Sequence, residues 1–479
     1  MSKWGVTDIM QALDLISEGS IEFEATGISI DSQTIKPGEI FVAVQGDSFD
    51  GHDFLQAALN KGATAFIISQ SPPDFLKNHT YFMVPDTLQA LRQLADYSRS
   101  QSKAKVIAIT GSAGKTTTKE WLAQTLGAFG STVYSPASYN NHFGVPLSLA
   151  SLEKNTAFGV FEIGMNHEGE IEPLAHLVQP DIAIITTIAD SHIGYLKSVS
   201  KIAEEKSTIF AGLKQGGTAI LNYDNGYFDF LAEAATSYGA GKIVKVGQKQ
   251  GADVHLMSSS YNPATDTTLV EVHVNQKPIK YTLSLVGDHY VMNSLMVLAT
   301  ADCLGLDLNK AVKEIEHLKP IGGRGQKHTV CIAPDKTITL IDDAYNAQPS
   351  SMQAGLMALA QFPTSLPTSR RIAVLGEMRE LGEESETFHR DLLPFIQNAN
   401  VELLFACGAH MKLLLDALPP AQQGGYSEQS EDLWQPLLDS LQNGDIVFIK
   451  GSKSTRVSVL VHRLLSLHQD VLSSQLEVA

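Results

Sequence analysis

A glycine-rich run with one lysine is the segment whose residue types most clearly predict chemistry. Residues 110–117 read Thr-Gly-Ser-Ala-Gly-Lys-Thr-Thr, and they follow the apolar stretch Val106–Ile109. At a strand-to-helix corner, glycines let backbone N–H groups turn toward phosphates, and a lysine reaches the terminal phosphates. The run therefore predicts a phosphate-binding loop, with Ile109 standing where the full motif has its first glycine.

A carboxylate and a histidine follow two other predicted strands. Glu162 lies near the end of the apolar stretch Phe158–Ile163, and His192 comes shortly after Ile182–Thr186. Ligands of open α/β sheets bind beyond the carboxyl ends of the strands, and Mg²⁺ takes carboxylate oxygens together with phosphates and water. Taken alone, a strand-end glutamate and a single histidine are more often structural residues, so both interpretations stay open at this point.

Other polar residues stand where an ordinary structural explanation suffices. Lys206, within Glu-Glu-Lys-Ser, is typical of a solvated lysine on a helix face, and the two asparagines at 140–141 predict a polar turn. Residues 342–347 follow a strand-like stretch and suit a helix cap, while residues 50–52 are turn-like. None of these residues indicates a function by itself.

The elements that must position these residues alternate between strand and helix in the middle of the chain. Stretches at Thr116–Phe129 and Ile202–Leu213 predict helices, and a period of two within 253–285 predicts an antiparallel extension with one wet face. The alternation predicts a mostly parallel sheet covered on both faces. Short apolar runs predict its buried strands at Val106–Ile109, Phe158–Ile163, Ile182–Thr186 and Ala219–Asn222.

Three domains follow from these patterns and from a length of 479 residues, at about 150 residues per domain. Residues 1–84 contain strand-like stretches at Ile40–Val44 and Ala65–Ile68 and one helix at Phe54–Lys61. A central domain, which opens with a helix at Leu88–Ser100, spans residues 85–320.

Residues 321–479 predict a further α/β domain that begins after a glycine-rich turn. Surface loops are predicted at Phe362–Arg371 and Leu418–Asp432. Strands are predicted at Ile338–Ile341, Ile372–Leu375, Leu403–Ala406 and Ile446–Ile449.

Composition narrows the class of protein. With 35 Lys+Arg and 52 Asp+Glu the formal charge is −17, which argues against general nucleic-acid binding because a phosphate backbone needs clustered cations. Three widely spaced cysteines exclude a disulfide framework and a Cys-based zinc site and suit a reducing cytosol. No stretch predicts a signal peptide or a membrane span, so we expect a cytoplasmic protein without membrane insertion.

Taken together and in order, these segments resemble the Mur ligases, the ATP-dependent enzymes that add amino acids to peptidoglycan precursors. The phosphate loop alone is moderately specific, whereas the ordered set is highly specific and covers nearly the whole chain. The set comprises Asp31-Ser32, Gly46, Asp50-Gly51-His52, residues 110–117, Asn140-Asn141, Glu162, His192, Lys206, Asn293, Arg324, Asp342–Asn346 and Lys450–Ser454.

Within the family, the sequence is most similar to the members that add D-alanyl-D-alanine. Residues Asp343–Ala347 resemble their Asp-Ser-Tyr-Asn-Ala motif, and Leu375–Gly382 resembles Leu-Gly-Asp-Met-x-Glu-Leu-Gly. The Asp-Asn-Pro-Arg motif of the diaminopimelate-adding members is absent. Gln33, Ala344 and Glu377 replace the family's usual Arg, Ser and Asp.

The resemblance implies a fold of three domains: a small α/β UDP-sugar domain, a central P-loop-type ATPase domain with a mostly parallel sheet, and a C-terminal Rossmann-like α/β domain. It implies catalytic roles for Lys115, Glu162, His192 and Lys206, and Mg²⁺ at two sites formed by Thr116, Glu162, His192 and a carbamylated Lys206. It implies ATP contacts from Gly111, Ser112, Ala113, Gly114, Lys115, Thr116, Thr117, Asn293, Arg324, Asp343 and Asn346. It implies UDP-substrate contacts from Ser32, Gly46, Asp50, Gly51, His52, Asn140 and Asn141.

The implied reaction joins D-alanyl-D-alanine to UDP-N-acetylmuramoyl-tripeptide through an acyl phosphate, and we expect a monomer. A diaminopimelate- or lysine-adding ligase is the alternative within the family. A nucleotide-binding switch would bind ATP without releasing phosphate when the two substrates are added. A folylpolyglutamate-type ligase shares the central fold but lacks the Asp-Gly-His type of N-terminal domain, so residues 1–84 argue against it.

Overall fold

The computed structural model describes residues 4–15, 23–46, 48–191, 193–364 and 366–478. Within these ranges the strands form four sheets. The strands are β1 Trp4–Gly5, β2 Glu24–Ala25, β3 Gly27–Ser29, β4 Glu39–Val42, β5 Ala65–Ile68, β6 Thr80–Met83, β7 Lys105–Thr110, β8 Thr132–Tyr134, β9 Phe158–Glu162, β10 Ile182–Ile185, β11 Thr218–Asn222, β12 Lys242–Gly247, β13 Val254–Asn262, β14 Thr267–Val274, β15 Lys277–Leu283, β16 Gln326–Ala333, β17 Lys336–Asp343, β18 Arg371–Gly376, β19 Val401–Cys407, β20 Gln423–Ser427 and β21 Ile446–Lys450.

Helices alternate with these strands along most of the chain. They are α1 Val6–Leu13, α2 Leu55–Asn60, α3 Thr87–Gln101, α4 Lys115–Gly127, α5 Gly144–Leu149, α6 Ile171–Val178, α7 Ile193–Leu196, α8 Val199–Ser207, α9 Phe228–Ser237, α10 Asp288–Cys303, α11 Leu308–Glu316, α12 Pro349–Gln361, α13 Ser385–Arg390, α14 Leu393–Asn398, α15 Ala409–Asp416, α16 Trp434–Ser440 and α17 Ser458–Val478. Each helix in the described ranges is too short or too polar to cross a lipid bilayer.

The first part of the chain forms a four-stranded parallel sheet in the order β3-β4-β5-β6, beside the small antiparallel pair β1-β2. The predicted helix at Phe54–Lys61 is present as α2, preceded by a 3₁₀ turn at Gly51–Phe54. Helix α1 was not predicted, although Val6, Ile9, Met10 and Leu13 have helical spacing and Ile9 and Leu13 are buried.

The largest sheet has nine strands in the order β15-β14-β13-β12-β11-β10-β7-β9-β8. The strands from β8 to β13 run parallel, and β14 and β15 continue the sheet antiparallel. The predicted parallel sheet and its antiparallel extension are therefore confirmed. On β14, Val270, Val272 and Val274 are buried while Glu271 and His273 are half-buried, as the period of two predicts.

The last sheet has six strands in the order β16-β17-β21-β18-β19-β20, parallel except for the pair β16-β17. The segment Leu418–Asp432, predicted as a surface loop, instead contains the edge strand β20, so that prediction is wrong. The strand was invisible in the sequence because Gly424 and Gly425 break any apolar alternation. Glycine is needed at 424, where a Cβ would lie 2.6 Å from the Phe405 ring.

One hydrophobic core joins the first sheet to the central one. Helix α3 contributes Leu91 and Leu94 to a cluster that also contains Val42 of β4 and Val106 of β7, all buried. A second cluster fills the other face of the central sheet, and two more cover the faces of the six-stranded sheet. Burial on both faces explains why these parallel strands are almost continuously apolar.

Candidate active site

The site lies where the central sheet changes winding direction. Strand β7 pairs with β9 on one side and β10 on the other, and the chain leaves β7 toward β8 and β9 before it returns to β10. The loops that follow β7 and its neighbours therefore diverge and leave a crevice at the carboxyl edge, which is where open α/β sheets bind ligands. The phosphate loop follows β7, and Glu162 is the last residue of β9.

Two glycines of the phosphate loop hold conformations that other residues adopt rarely. Gly111 has φ +148°, and a Cβ there would overlap Thr186 Oγ1; Gly114 has φ +81°, and its Cβ would lie 2.6 Å from Asn293 Oδ1. Thr186 Oγ1 also donates to the Ala113 carbonyl at 2.5 Å. The loop is thus packed against neighbouring side chains that leave no room for a methyl group, and α4 begins directly after it.

Lys115 is the first residue of α4 and lies half-buried in the crevice. Its Nζ donates to the Gly111 carbonyl at 2.7 Å, so the side chain folds back over the loop. Burial lowers the pKa of Lys115, the Glu162 carboxylate opposes that shift, and Arg324 adds to it. The ammonium therefore lies in an environment that favours an anionic ligand.

Glu162 has a buried carboxylate oxygen with no protein partner. The residue is 1% exposed; its Oε1 accepts from Asn140 Nδ2 at 2.7 Å. Among the described residues, no donor reaches its Oε2. An orphaned buried acceptor is costly unless something else satisfies it. A carboxylate oxygen and the nearby Thr116 hydroxyl are the ligand types that Mg²⁺ uses beside phosphates, so the residues present fit this cation.

Residues of the six-stranded-sheet region close the other side of the crevice. Arg324 Nη2 donates to Thr116 Oγ1 at 3.1 Å, and its guanidinium lies 4.2 Å from the centre of the Tyr345 ring. Tyr345 Oη in turn donates to Ser138 Oγ at 2.7 Å. The two hydrogen bonds join residues that are about 200 positions apart in sequence, which periodicity could not indicate.

A buried ion pair lies in the same wall. Lys450 Nζ is 2.7 Å from Asp343 Oδ2 and donates to the Asn346 carbonyl at 3.0 Å. Burial raises the pKa of Asp343, and Lys450 is the main group that opposes the shift. The pair holds residues 343–346 at the edge of the crevice.

The crevice encloses a cavity of about 560 Å³. The structure brings most of the predicted nucleotide residues to its walls, together with the two asparagines. The predicted residues that line it are Ser112, Ala113, Gly114, Lys115, Thr116, Thr117, Asn140, Asn141, Glu162, Asn293, Arg324, Asp343 and Asn346. Gly111, a residue of the loop itself, lies against Thr186. His192 lies outside the described residues.

Lys206 is buried near the cavity rather than on a solvated helix face. It lies on α8 and is 1% exposed. Burial is the main cause that lowers its pKa well below the usual value, and Lys115 lowers it further while Glu205 and Glu162 oppose the shift. Lys206 is therefore not the solvated helix-face lysine that its local sequence suggests when taken alone, and its burial is the condition that the predicted carbamylation needs. The structure also brings this amine into the electrostatic range of Lys115 and Glu162.

The predicted residues of the first sheet lie outside this cavity and contact one another. Asp50 Oδ1 accepts from the His52 backbone N–H at 2.9 Å and lies 2.6 Å from His52 Nδ1. The Ser69 backbone N–H donates to His52 Nε2 at 3.0 Å. A Cβ on Gly51 would lie 2.6 Å from the Val44 carbonyl oxygen, so residues 50–52 fasten a loop to the ends of β4 and β5.

Ser32 and Gly46 follow neighbouring strands of that first sheet. Ser32 is buried after β3, and Gly46 follows β4, where a Cβ would lie 2.8 Å from the Phe49 ring. The parallel strands bring both residues to the carboxyl edge of the sheet.

Sequence reasoning assigned no site role to several residues that line the cavity. Lys450 belongs to the quoted segment 450–454 and ends a buried strand, so it could have been marked in the same way as Glu162. Tyr345 lies within the quoted motif at 343–347 but received no role of its own. His289, Tyr290 and Gln348 carried no signal, because aromatic and amide side chains at these positions are equally typical of cores and caps. Their remaining lining neighbours include Ser138, Gly164, Met165, Asn166, Glu170, Thr186, Thr187 and Asn222.

Family models match three consecutive parts of the chain. Residues 24–99 match the model described as Mur ligase family, catalytic domain; residues 109–301 match Mur ligase middle domain. Residues 327–453 match Mur ligase, glutamate ligase domain.

Curated relatives and solved structures cover nearly the whole chain. The chain is 32% identical over 458 residues to the UDP-N-acetylmuramoyl-tripeptide–D-alanyl-D-alanine ligase of Rickettsia prowazekii, with 96% of this chain and 99% of that protein covered. It superposes on MurF from Acinetobacter baumannii with a TM-score of 0.83 and 29% identity, covering 97% and 99% of the two chains. MurF from Thermotoga maritima, solved in complex with ADP, gives a TM-score of 0.77 and 25% identity, covering 94% and 98%.

Proposed function

Because the chain belongs to the Mur ligase family, we propose that it is the ATP-dependent ligase that joins D-alanyl-D-alanine to UDP-N-acetylmuramoyl-tripeptide. The observation that carries the reaction class is the phosphate loop beside a buried, half-satisfied Glu162 carboxylate. The choice of substrates rests on full-length similarity to ligases of that name.

The reaction transfers the ATP γ-phosphoryl group to the terminal carboxylate of the tripeptide, which gives an acyl phosphate and ADP. The amine of D-alanyl-D-alanine then attacks the acyl carbon, the C–N bond forms, and phosphate leaves with the electrons of the broken C–O bond. A carboxylate that approaches a phosphate meets like charge, so cations must neutralise both groups in a site from which water is excluded.

This chain supplies the needed positive charge locally, so the net charge of −17 is no obstacle. Lys115 is placed to contact the terminal phosphates, and the loop N–H groups before α4 receive the others. Thr116 and Glu162 would hold one Mg²⁺, which supplies charge neutralisation when bound. The contact of Arg324 with Thr116 brings a second cation to the same place from the far side of the cavity.

Lys206 serves this chemistry best as a carbamate. An ammonium is repelled by a metal ion, whereas a carbamate offers oxygen ligands. Carbamylation needs a neutral amine, and the burial that lowers the Lys206 pKa favours that form. His192 and the carbamylated Lys206 would then serve a second Mg²⁺ near the acceptor carboxylate.

The remaining contacts are assigned by the resemblance. Asn293, Asp343 and Asn346 would hold the nucleotide, and Asn140 and Asn141 the muramoyl peptide. The uridine diphosphate would bind at the carboxyl edge of the first sheet, near Ser32, Gly46 and residues 50–52. We propose a monomer that acts in the cytoplasm, where ATP is available.

A phosphate-release assay tests this function. Phosphate should appear only when ATP, UDP-N-acetylmuramoyl-tripeptide and D-alanyl-D-alanine are all present, and mass spectrometry should find the pentapeptide product. Replacing the tripeptide by the dipeptide precursor, and D-alanyl-D-alanine by diaminopimelate or lysine, should give none. Phosphate release with the dipeptide precursor and diaminopimelate or lysine would instead identify the amino-acid-adding ligase. Binding of ATP with no release of phosphate would identify a nucleotide switch.

A further inference from the structure

A second lysine of α4 is fully buried, and it does not face the cavity. Lys119 is 0% exposed. Its Nζ donates to the carbonyls of Ser135 at 2.6 Å and Ala137 at 2.5 Å, and lies 2.8 Å from Glu120 Oε1. An ammonium has three N–H donors, so these three oxygens use all of them. Lys119 therefore acts on the protein itself and has no free donor for a substrate.

The two carbonyls belong to the segment that leaves β8, residues 135–141. Ala137 lies in the left-handed region with φ +43°, a conformation that costs energy for a residue with a side chain and persists only when the surroundings enforce it. The ammonium of Lys119 holds the segment by the carbonyl of Ala137 itself and by that of Ser135. The buried ammonium of Lys119 thus fixes the shape of one short loop.

That loop contacts Glu162 through both backbone and side chain. Asn140 Nδ2 donates to Glu162 Oε1 at 2.7 Å, and the Gly164 N–H donates to the Asn140 carbonyl at 2.8 Å. Ser135 Oγ accepts from the Glu162 N–H at 3.3 Å. If the loop shifted, the Glu162 carboxylate would lose the partner that fixes its rotation, and its second oxygen would lose its direction.

We propose that Lys119 is a positioning residue that sets the metal-binding orientation of Glu162 through the loop 135–141. The inference rests on the proposed role of Glu162 toward Mg²⁺. Partners that orient a metal ligand typically change metal affinity by 10–100-fold when removed. A purely structural lysine would change stability and leave metal affinity as it is.

The test measures metal binding apart from turnover. Mn²⁺ binding to the enzyme–ADP complex is followed by electron paramagnetic resonance for the wild type, Lys119→Met and Glu120→Gln. Lys119→Met should bind Mn²⁺ about tenfold more weakly, with ADP binding in EDTA unchanged and faster amide exchange in residues 135–141. Glu120→Gln keeps an oxygen acceptor for the ammonium and should bind Mn²⁺ like the wild type.

Each outcome separates the alternatives. Lys119→Met that melts earlier but binds Mn²⁺ as tightly as the wild type overturns the proposal. If Lys119→Met does not fold, Lys119→Gln keeps an uncharged amide whose N–H groups can still donate to the carbonyls; intermediate Mn²⁺ affinity supports the proposal and unchanged affinity overturns it. A wild-type ADP complex that binds no Mn²⁺ would overturn the metal role of Glu162 as well, which distinguishes failure of the function from failure of this inference alone.

Discussion

The phosphate loop after β7 and residues 50–52, which follow β4, both lie beyond the carboxyl edge of a parallel sheet and both carry a family motif. Their polar atoms are nevertheless used in opposite ways. Around the first, Glu162 Oε2 is buried without a partner in the described structure, and the half-buried Lys115 bonds only its own loop. In the second, Asp50 and His52 satisfy one another and the backbone. The first arrangement leaves polar atoms available to a ligand, whereas the second uses its polar atoms to fix the shape of a loop.

Of the changes compared, replacement of Lys115 in the phosphate loop should have the largest effect. Lys115→Ala should lower turnover by about 10²–10³-fold or more, because the ammonium faces charge that develops on the transferred phosphoryl group. The melting temperature should change little, since the amine hydrogen-bonds a single carbonyl, that of Gly111, within the described ranges. The measurement is phosphate release at saturating ATP, with calorimetry as the control. Turnover near that of the wild type would show that the loop is not catalytic.

Substitutions at Lys206 should show what the buried amine contributes to turnover. Lys206→Arg keeps a positive charge but cannot form a carbamate, so it should be inactive. Lys206→Ala should regain part of its activity when acetate is added, because a small carboxylate can occupy the vacated oxygen position. The matched control is Lys201→Ala, because Lys201 is half-exposed on the same helix α8, where it pairs with Glu204. A fully active Lys206→Arg enzyme would contradict the carbamate.

At residues 50–52, where the polar side chains pair with one another, His52→Ala should lower the stability of the fold more than it lowers turnover. It removes an acceptor from the Ser69 N–H and a partner from Asp50, which should lower the free energy of unfolding by about 1–3 kcal/mol. Affinity for ADP should stay that of the wild type. Urea denaturation and ADP titration measure the two quantities. Loss of UDP-substrate binding without loss of stability would instead make His52 a ligand residue.

The smallest expected effect is a pH dependence carried by Asp50. The His52 backbone N–H is the main cause that lowers the pKa of Asp50, so its folded pKa lies below its unfolded one. Such a carboxylate stabilises the fold above its unfolded pKa of about 4, and that contribution is lost as pH falls through the lower folded value. The stability difference between wild type and Asp50→Asn should therefore shrink in urea titrations as pH falls below about 4. A difference that grows on acidification would contradict this assignment.

The sequence predicts the central sheet well because its strands are buried on both faces and therefore continuously apolar, as β7 and β10 are. It fails where structure depends on something other than apolar pattern. Strand β20 pairs through its backbone beside β19, with glycines where the Phe405 ring leaves no space. Helix α1 was missed although its apolar residues have helical spacing, because that spacing extends over only two turns.

For the site, spacing marks the residues that follow strands and misses those that arrive from elsewhere. The phosphate loop and Glu162 are adjacent because β7 and β9 are paired, which alternation of strands and helices already implies. Tyr345 reaches Ser138 from more than 200 positions away, and no local pattern encodes that contact. Lys119 and Lys206 both look exposed in sequence, because a buried lysine is recognisable only from the oxygens or charges around it.

The core shared by α3, β4 and β7 has a consequence for how the chain divides into folding units. A truncation at residue 84 would strip apolar cover from Val106 and from the inner face of α3, so the remainder would expose a hydrophobic surface rather than a finished boundary. The part from β16 onward has a hydrophobic cluster on each face of its sheet, to which the preceding chain adds Val286 and two half-buried residues, Ile193 and Tyr261. Separate expression of residues 1–320 and 321–479 should therefore expose less apolar surface than a cut at residue 84. The cut at residue 84 should give two fragments that aggregate.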